Sequence, residues 1–244
     1  AERKFRPILK RAQELGLFVF AHPYYVGAKS GLECYYLTNL IGNPLDTTVM
    51  LANLMFSGAL DDLEELRLCL AHGGGFTPYQ IGRLVHGHKV RSETHGQSAT
   101  SPKQLLRRLY FDSLVFDPQA LRYLIDLVGA DHVCIGTDSP FDMGDEHPDE
   151  TIRSIPGLTG EDAQRGRRVL RGITAGHVLG AVTRQAEFFG SHRVGGELAV
   201  LDLDHPGGGR DRELVEAVLA ADEHRVAGTE HRQGSGHLRQ RGWV

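Results

Sequence analysis

Four short apolar runs lie within the first 140 residues, and each ends abruptly in polar or glycine residues. They occupy residues 17–23 (LFVFAHP), 67–75 (RLCLAHGGG), 109–113 (LYFDS) and 132–140 (HVCIGTDSP). Continuous apolar runs of this length are typical of parallel β-strands, because other elements cover both faces of a parallel sheet. The pattern therefore predicts four buried strands.

Segments with a helical pattern alternate with these strands. Residues 45–60 are almost entirely apolar, and a second helix is predicted between Asp117 and Gly129, where apolar positions recur at helical spacing. A capping-box spacing at Thr159 predicts a further helix running towards Val182. Strands alternating with helices predict an α/β fold with right-handed crossovers. Four successive units of a (β/α)8 barrel are the first interpretation, and a small doubly wound sheet is the second.

The pattern changes near residue 190. Residues 190–244 contain 10 of the 30 glycines and 5 of the 13 histidines. Only residues 197–203, which have a strand-like pattern, and 211–221, which have a helix-like pattern, stand out from an aperiodic background. Such a composition is typical of a flexible segment. We therefore predict an ordered part over residues 1–189 and a flexible Gly/His-rich tail over residues 190–244.

Composition and charge narrow the class of protein. The net charge is −4, from 27 Lys and Arg against 31 Asp and Glu, which argues against a nucleic acid partner. No stretch approaches the roughly 18 apolar residues that a membrane-spanning helix needs, so no membrane partner is expected. An odd number of cysteines, three, favours reduced thiols in a cytoplasmic protein over a disulfide scaffold.

Three of the four predicted strands end in a side chain that can bind a metal or carry a proton: His22, His72 and Asp138. The carboxyl ends of barrel strands meet at one rim, where active sites form. Two histidines and a carboxylate suit zinc or an iron facial triad, and the spacing does not decide between them. Residues 73–75 are all glycine, which allows a sharp turn after His72 and a close approach of the backbone to a ligand.

Four motifs in order carry a resemblance to a known family. They are residues 20–23 (FAHP), 39–48 (NLIGNPLDTT), 71–91 (AHGGGFTPYQIGRLVHGHKVR) and 136–144 (GTDSPFDMG). Together they resemble the metal-dependent amidohydrolase superfamily, in particular the branch of aminocarboxymuconate semialdehyde decarboxylase and related aromatic-acid decarboxylases. The resemblance implies a TIM barrel of the metal-dependent hydrolase type, of which residues 1–189 would hold the C-terminal half, strands five to eight.

The resemblance also implies roles for the residues at the strand ends. His22 and Asp138 match the strand-five and strand-eight ligands of a divalent metal, with zinc expected first and manganese as the alternative. His72 matches a histidine that activates metal-bound water and moves protons without binding the metal. This role differs from the prediction made from the residue types alone, in which His72 is a third metal ligand.

Three further positions match substrate-binding residues of the family. Arg83 corresponds to an arginine that reaches a substrate carboxylate, often across a dimer interface, so the resemblance implies a homodimer. Phe141 corresponds to an aromatic side chain beside the substrate ring. Asn39 replaces a tryptophan of the named decarboxylase, which makes the pocket rim smaller and more polar.

The expected activity is that of a metal-dependent carbon–carbon lyase, a decarboxylase acting on a small unsaturated or aromatic carboxylic acid. Its active site is expected to be incomplete in this chain, which alone should bind metal weakly and show no decarboxylase activity. A hydrolase or hydratase that uses metal-bound hydroxide is an alternative within the superfamily. An alternative of another class is a non-catalytic fragment, because the His-x-His pair of the family's first strand has no counterpart here. The sequence His86-Gly87-His88 falls in a helical stretch and is expected at the surface. A half-barrel would leave the edges of strands five and eight unpaired.

Overall fold

The computed structural model describes residues 6–23, 30–95, 97–138 and 141–161, together with the backbone of residues 178–183 and 198–202. Within that part of the chain, no helix has the length and apolar character needed to cross a membrane. Contacts divide the chain into Ala1–Gly207 and Gly208–Val244. The second unit and most of the expected tail over residues 190–244 lie outside the described residues, so the predicted division near residue 190 stays a prediction.

All four predicted strands form, and they pair in chain order. They are β1 (Phe18–Pro23), β2 (Arg67–Leu70), β3 (Tyr110–Asp112) and β4 (Val133–Cys134). Each is parallel to its neighbour, with Phe20 opposite Cys69, Cys69 opposite Tyr110, and Asp112 opposite Cys134. The prediction of an α/β fold built from successive strand–helix units is confirmed.

Helices connect these strands. They are α1 (Arg6–Glu14), α2 (Asn43–Phe56), α3 (Thr77–Val90), α4 (Ser92–His95), α5 (Pro102–Leu106), α6 (Pro118–Val128) and α7 (Pro148–Arg153). Helix α6 shows how local sequence sets the bounds, because the Asp117 side chain accepts a hydrogen bond from the backbone N–H of Ala120. The helix ends at Gly129, whose φ of 100° is a conformation that glycine adopts readily and other residues seldom do.

The two faces of the sheet have different roles. One face carries apolar side chains that are at most 2% exposed: Val19, Ala21, Leu68, Leu70 and Phe111. Side chains alternate along a strand, so the opposite face carries Phe20 and His22 of β1, Cys69 of β2, and Tyr110 and Asp112 of β3. This second face, which we call the site face, therefore brings His22 and Asp112 to the same side of the sheet at the strand ends.

Two further strands extend the sheet beyond β1. Strand β5 (Val178–Thr183) pairs in parallel with β1, and β6 (Leu198–Asp202) pairs with β5, giving the order β4-β3-β2-β1-β5-β6. The predicted helix running towards Val182 is therefore wrong over residues 178–182, and the predicted unpaired edge of β1 is covered. A capping box marks where a helix begins and not how far it extends, and the open backbone groups of β1 favour pairing with an added strand. The strand-like pattern over residues 197–203 is confirmed in β6.

Candidate active site

The side chains of His22, His72 and Asp138 meet at the carboxyl ends of the strands. Each offers a ligand atom, and these atoms lie within 4.8 Å of one another. Nε2 of His22 is 3.7 Å from Oδ1 of Asp138, and the His22 and His72 rings lie edge to face with centroids 4.9 Å apart. The three residues end β1, follow β2 and follow β4, so the parallel sheet brings together positions far apart in sequence. The predicted approach of His22 and Asp138 is confirmed.

The electrostatics of this cluster favour a bound cation. Nε2 of His22 and Nδ1 of His72 are buried and have no hydrogen-bond partner among the described residues. Burial lowers the pKa of His72 to about 4, with a further contribution from His22, so its imidazole is neutral at pH 7. Contact with His22 lowers the pKa of Asp138, which keeps that carboxylate ionised. Two imidazoles with buried orphan nitrogens and an ionised carboxylate match the donor set of a divalent transition metal.

Two of these residues have an uncommon backbone conformation. His72 has a φ of 56° and Asp138 a φ of 49°, which is the left-handed region that non-glycine residues seldom occupy. Such a conformation costs on the order of 1–3 kcal/mol and persists only where the surroundings fix it. Strain at both residues indicates that the fold holds their side chains in one arrangement.

Asp112 is a further site residue that the sequence interpretation missed. It ends β3, is 3% exposed, and accepts three backbone hydrogen bonds. Oδ2 accepts from the N–H of His72 at 2.9 Å, and Oδ1 accepts from Gly73 at 2.7 Å and from Leu114 at 3.1 Å. Burial raises the pKa of Asp112 to about 6 against the lowering effect of these N–H groups, so the group is ionised at pH 7. The signal was available, because Asp112 ends the one apolar run from which no candidate was taken.

The glycines after His72 allow the loop to pack closely against helix α2. Gly75 has a φ of 62°, and a Cβ there would lie 2.1 Å from the carbonyl oxygen of Pro44. Oγ1 of Thr48 accepts a hydrogen bond from the N–H of Phe76 at 2.8 Å and donates one to Pro44 at 2.7 Å. The close approach that Gly75 permits in the structure is therefore to α2, and the expected approach to a ligand stays a prediction.

The predicted substrate-binding residues differ in their exposure and in the elements that carry them. Phe141 is 57% exposed, and its N–H donates to the carbonyl oxygen of Asp138 at 3.0 Å, which places it beside that turn. Asn39 is half-buried in a π-helical turn over Thr38–Gly42. Arg83 is exposed on α3, and within the described residues no hydrogen bond or ion pair joins it to the cluster. The substrate-binding roles of all three stay predictions.

The His-x-His sequence on α3 lies apart from this cluster. His86 is exposed, whereas the His88 ring stacks on Phe56 and its Nε2 lies 3.0 Å from the carbonyl oxygen of Ser98. The expected surface position is confirmed for His86. His88 is half-buried, and its ring contacts Phe56 at the end of α2 and Ser98 in the segment that follows α4.

Comparison with known proteins gives a consistent result. A family model described as amidohydrolase matches residues 1–171. A curated relative, the 2-amino-3-carboxymuconate-6-semialdehyde decarboxylase of Dictyostelium discoideum, is 36% identical over 150 residues. The match covers 61% of this chain and 42% of the relative, so the chain spans less than half the length of that protein.

Solved structures show the same fold over about half of their length. One is the 5-carboxyvanillate decarboxylase LigW from Sphingomonas paucimobilis, with a TM-score of 0.63, 22% identity, and coverage of 70% of this chain and 53% of that one. Another is a dihydroxybenzoic acid decarboxylase from Polaromonas with bound manganese and the inhibitor 2-nitroresorcinol. Its TM-score is 0.59 at 20% identity, with coverage of 70% and 53%. These likenesses show that the described sheet and helices correspond to part of a TIM barrel.

Proposed function

The chain belongs to the amidohydrolase family, and on that basis we propose that its chemistry is that of a metal-dependent carbon–carbon lyase. The substrate would be a small unsaturated or aromatic carboxylic acid, which loses CO2. The observation that carries the proposal is the convergence of His22, His72 and Asp138 at one edge of a parallel sheet. The decarboxylase activity named for the curated relative supports it.

His22 and Asp138 are proposed to hold a divalent metal, zinc in the first instance and manganese as the alternative. The buried nitrogen of His22 without a hydrogen-bond partner supports this assignment, since a lone pair there is available to a cation. The manganese found in the Polaromonas decarboxylase supports the alternative. When bound, a divalent metal draws electron density from a substrate oxygen and so stabilises developing negative charge.

His72 is proposed to move the proton of the reaction. Decarboxylation breaks a carbon–carbon bond, releases CO2 and leaves the electron pair on the substrate carbon, which must then take up a proton. A pKa near 4 means that the His72 imidazole enters the reaction neutral, so it can take up the required proton from solvent and pass that proton to the carbon. Its position 4.9 Å from the His22 ring keeps this transfer beside the metal site.

Arg83, Phe141 and Asn39 are proposed to line the substrate pocket. Arg83 would hold a substrate carboxylate through paired N–H groups. Arg83 is exposed, and within the described residues no hydrogen bond or ion pair joins it to the cluster, so we propose that it faces the site of a second copy in a homodimer. A cytoplasmic location is proposed from the three free thiols, of which Cys69 and Cys134 are buried.

The test separates metal binding from turnover. The 244-residue chain is freed of metal with a chelator, titrated with Zn²⁺ or Mn²⁺ by calorimetry, and assayed for CO2 release from aminocarboxymuconate semialdehyde and hydroxybenzoates. In an enzyme that joins this chain to the N-terminal half of a relative, we expect His72→Ala to keep the metal and lose turnover by about 100- to 10,000-fold, which is the usual contribution of a positioned histidine. Asp138→Ala should lose the metal.

Asp126→Ala is the matched control, because this exposed carboxylate pairs with Arg122 on α6 and, within the described residues, makes no ion pair with the cluster. It should change neither metal affinity nor turnover. Addition of water without CO2 would favour the hydrolase or hydratase alternative. Metal binding by the wild-type chain without any turnover would favour the non-catalytic alternative. Loss of metal in His72→Ala with retention in Asp138→Ala would reverse the two roles.

A further inference from the structure

We propose that Asp112 is a positioning residue that fixes His72 in its left-handed backbone conformation and so aims the imidazole at the metal site. The role of His72 in proton transfer comes from the proposed function. The contact between Asp112 and the His72 backbone comes from the structure. Asp112 is distinct from the cluster of His22, His72 and Asp138, and its carboxylate faces backbone N–H groups.

The backbone around His72 needs a partner outside the sheet. Strand β2 ends at Leu70, and the N–H of Ala71 still donates to the carbonyl oxygen of Ala21 on β1 at 3.0 Å. From His72 onward the chain leaves the sheet, so the next two N–H groups lose their strand partners. Both donate instead to the Asp112 carboxylate, one to each oxygen. A buried N–H without a partner is costly, and this carboxylate removes that cost at both positions.

The same contact restricts the His72 backbone to its observed conformation. A non-glycine residue at a φ of 56° relaxes to negative φ unless its surroundings prevent it. Two N–H groups held by two oxygens of one carboxylate define the orientation of successive peptide planes. Rotation of His72 to negative φ would turn these planes and break at least one of the bonds. The Asp112 contact thus accounts for the left-handed backbone of His72.

Asp112 is itself immobile, as a positioning residue must be. Oδ1 also accepts from the N–H of Leu114, two residues along its own chain, which fixes the carboxylate relative to the end of β3. The side chain is buried, and β3 pairs with β2 through Cys69 and Leu70. The His72 loop is therefore attached to a neighbouring strand that is already in register with β2.

The experiment replaces Asp112 by Asn in the full 244-residue chain. The amide keeps one oxygen acceptor and presents an NH2 group where the second oxygen stood, so the two N–H donors of the loop cannot both be satisfied. Asp61→Asn is the control, because that carboxylate accepts comparable bonds from Ser98 Oγ at 3.2 Å and Ala99 N–H at 3.1 Å, in another loop. Hydrogen exchange at the His72 and Gly73 amides, the NMR signals of the His72 imidazole, Mn²⁺ affinity, kcat and KM are measured for each.

We expect exchange of the His72 or Gly73 amide to accelerate at least about tenfold in Asp112→Asn, because local opening controls exchange there. The His72 imidazole signals should shift, while Mn²⁺ affinity stays within about threefold because His22 and Asp138 are untouched. Where turnover is measurable, kcat should fall about 10- to 100-fold with KM nearly unchanged, since misplacing a catalytic group by about 1 Å can cost that much. Asp61→Asn should leave all of these readouts as in the wild type.

Unchanged amide exchange and imidazole signals in Asp112→Asn would overturn the proposal, as would a loosened loop with kcat unchanged. If the wild-type chain binds metal without turnover, the non-catalytic alternative is favoured, and the amide and imidazole readouts still decide the contact. If Asp112→Asn does not fold, exchange in the wild type decides. Protection of the His72 and Gly73 amides comparable to that of Ala71 supports the contact, and exchange at the rate of an open peptide refutes it.

Discussion

Replacing Gly74 by Ala is expected to destabilise the protein through one defined collision. Gly74 has a φ of 78°, and a Cβ built there would lie 2.7 Å from Cδ1 and Cε1 of Phe111. Carbon atoms in contact are normally about 3.5–4.0 Å apart. Because the Phe111 ring is fully buried, it has no free space into which to move.

The magnitude follows from three contributions. The left-handed conformation costs an alanine about 1–2 kcal/mol. Overpacking a filled core costs about 1–3 kcal/mol. Lower entropy of the unfolded chain returns about 0.4–1 kcal/mol. The free energy of unfolding should therefore fall by about 1–5 kcal/mol.

The assay is urea denaturation followed by circular dichroism, with Gly157→Ala as the matched control. Gly157 has a φ of 64°, with nothing within 4 Å of the added Cβ, so this variant carries the backbone cost alone. We expect Gly157→Ala to lose only about 0–1.5 kcal/mol. The double variant Gly74→Ala/Phe111→Leu should be less destabilised than the sum of the two single variants, by at least about 1 kcal/mol. Equal losses in the two alanine variants, or additive effects with Phe111→Leu, would refute the collision.

Two other predictions concern His72 and helix α6. In the metal-free chain the His72 imidazole should titrate with a pKa of about 4 in place of 6.5, as followed by NMR. Between these two values the unfolded chain binds more protons than the folded chain, so the free energy of unfolding should decrease as the pH falls from 6.5 to about 4; a midpoint near 6.5 would contradict the burial of this ring. Asp117→Ala should cost about 1 kcal/mol by removing the cap of α6 while leaving metal affinity unchanged, and a loss of metal would show that α6 shapes the site.

The sequence predicted the strands and the cluster for a simple physical reason. A strand buried on both faces is a continuous apolar run, and the residue that ends it faces the rim of the sheet. That argument identified His22, His72 and Asp138 as site residues. It applies equally to Asp112, which also ends an apolar run and was missed. The left-handed backbone of His72 could not be predicted from the sequence, because it depends on a carboxylate that lies 40 residues away in the chain.

The position of β5 was also beyond a local pattern. Whether residues 178–183 form a strand depends on the open edge of β1, to which they pair in full register from Phe18 to Pro23. A capping box near Thr159 is local, whereas that pairing joins residues 160 positions apart, as for Phe18 and Val178. Local propensity therefore predicted a helix where a tertiary contact favours a strand.

The way the cluster is assembled bears on when it exists during folding. His22 and Asp138 belong to opposite ends of the four-strand series, and β2 and β3 must pair between them before the two side chains meet. Pairing of strands that are far apart in sequence is slow compared with helix formation, so the cation site is expected to arise late, with the whole sheet. An ion that binds only the folded arrangement does not affect the early steps of folding. It stabilises the folded protein by about 2.7 kcal/mol at a free concentration of 100 times its Kd. Metal supply would thus act on the lifetime of the folded protein more than on the rate at which it forms.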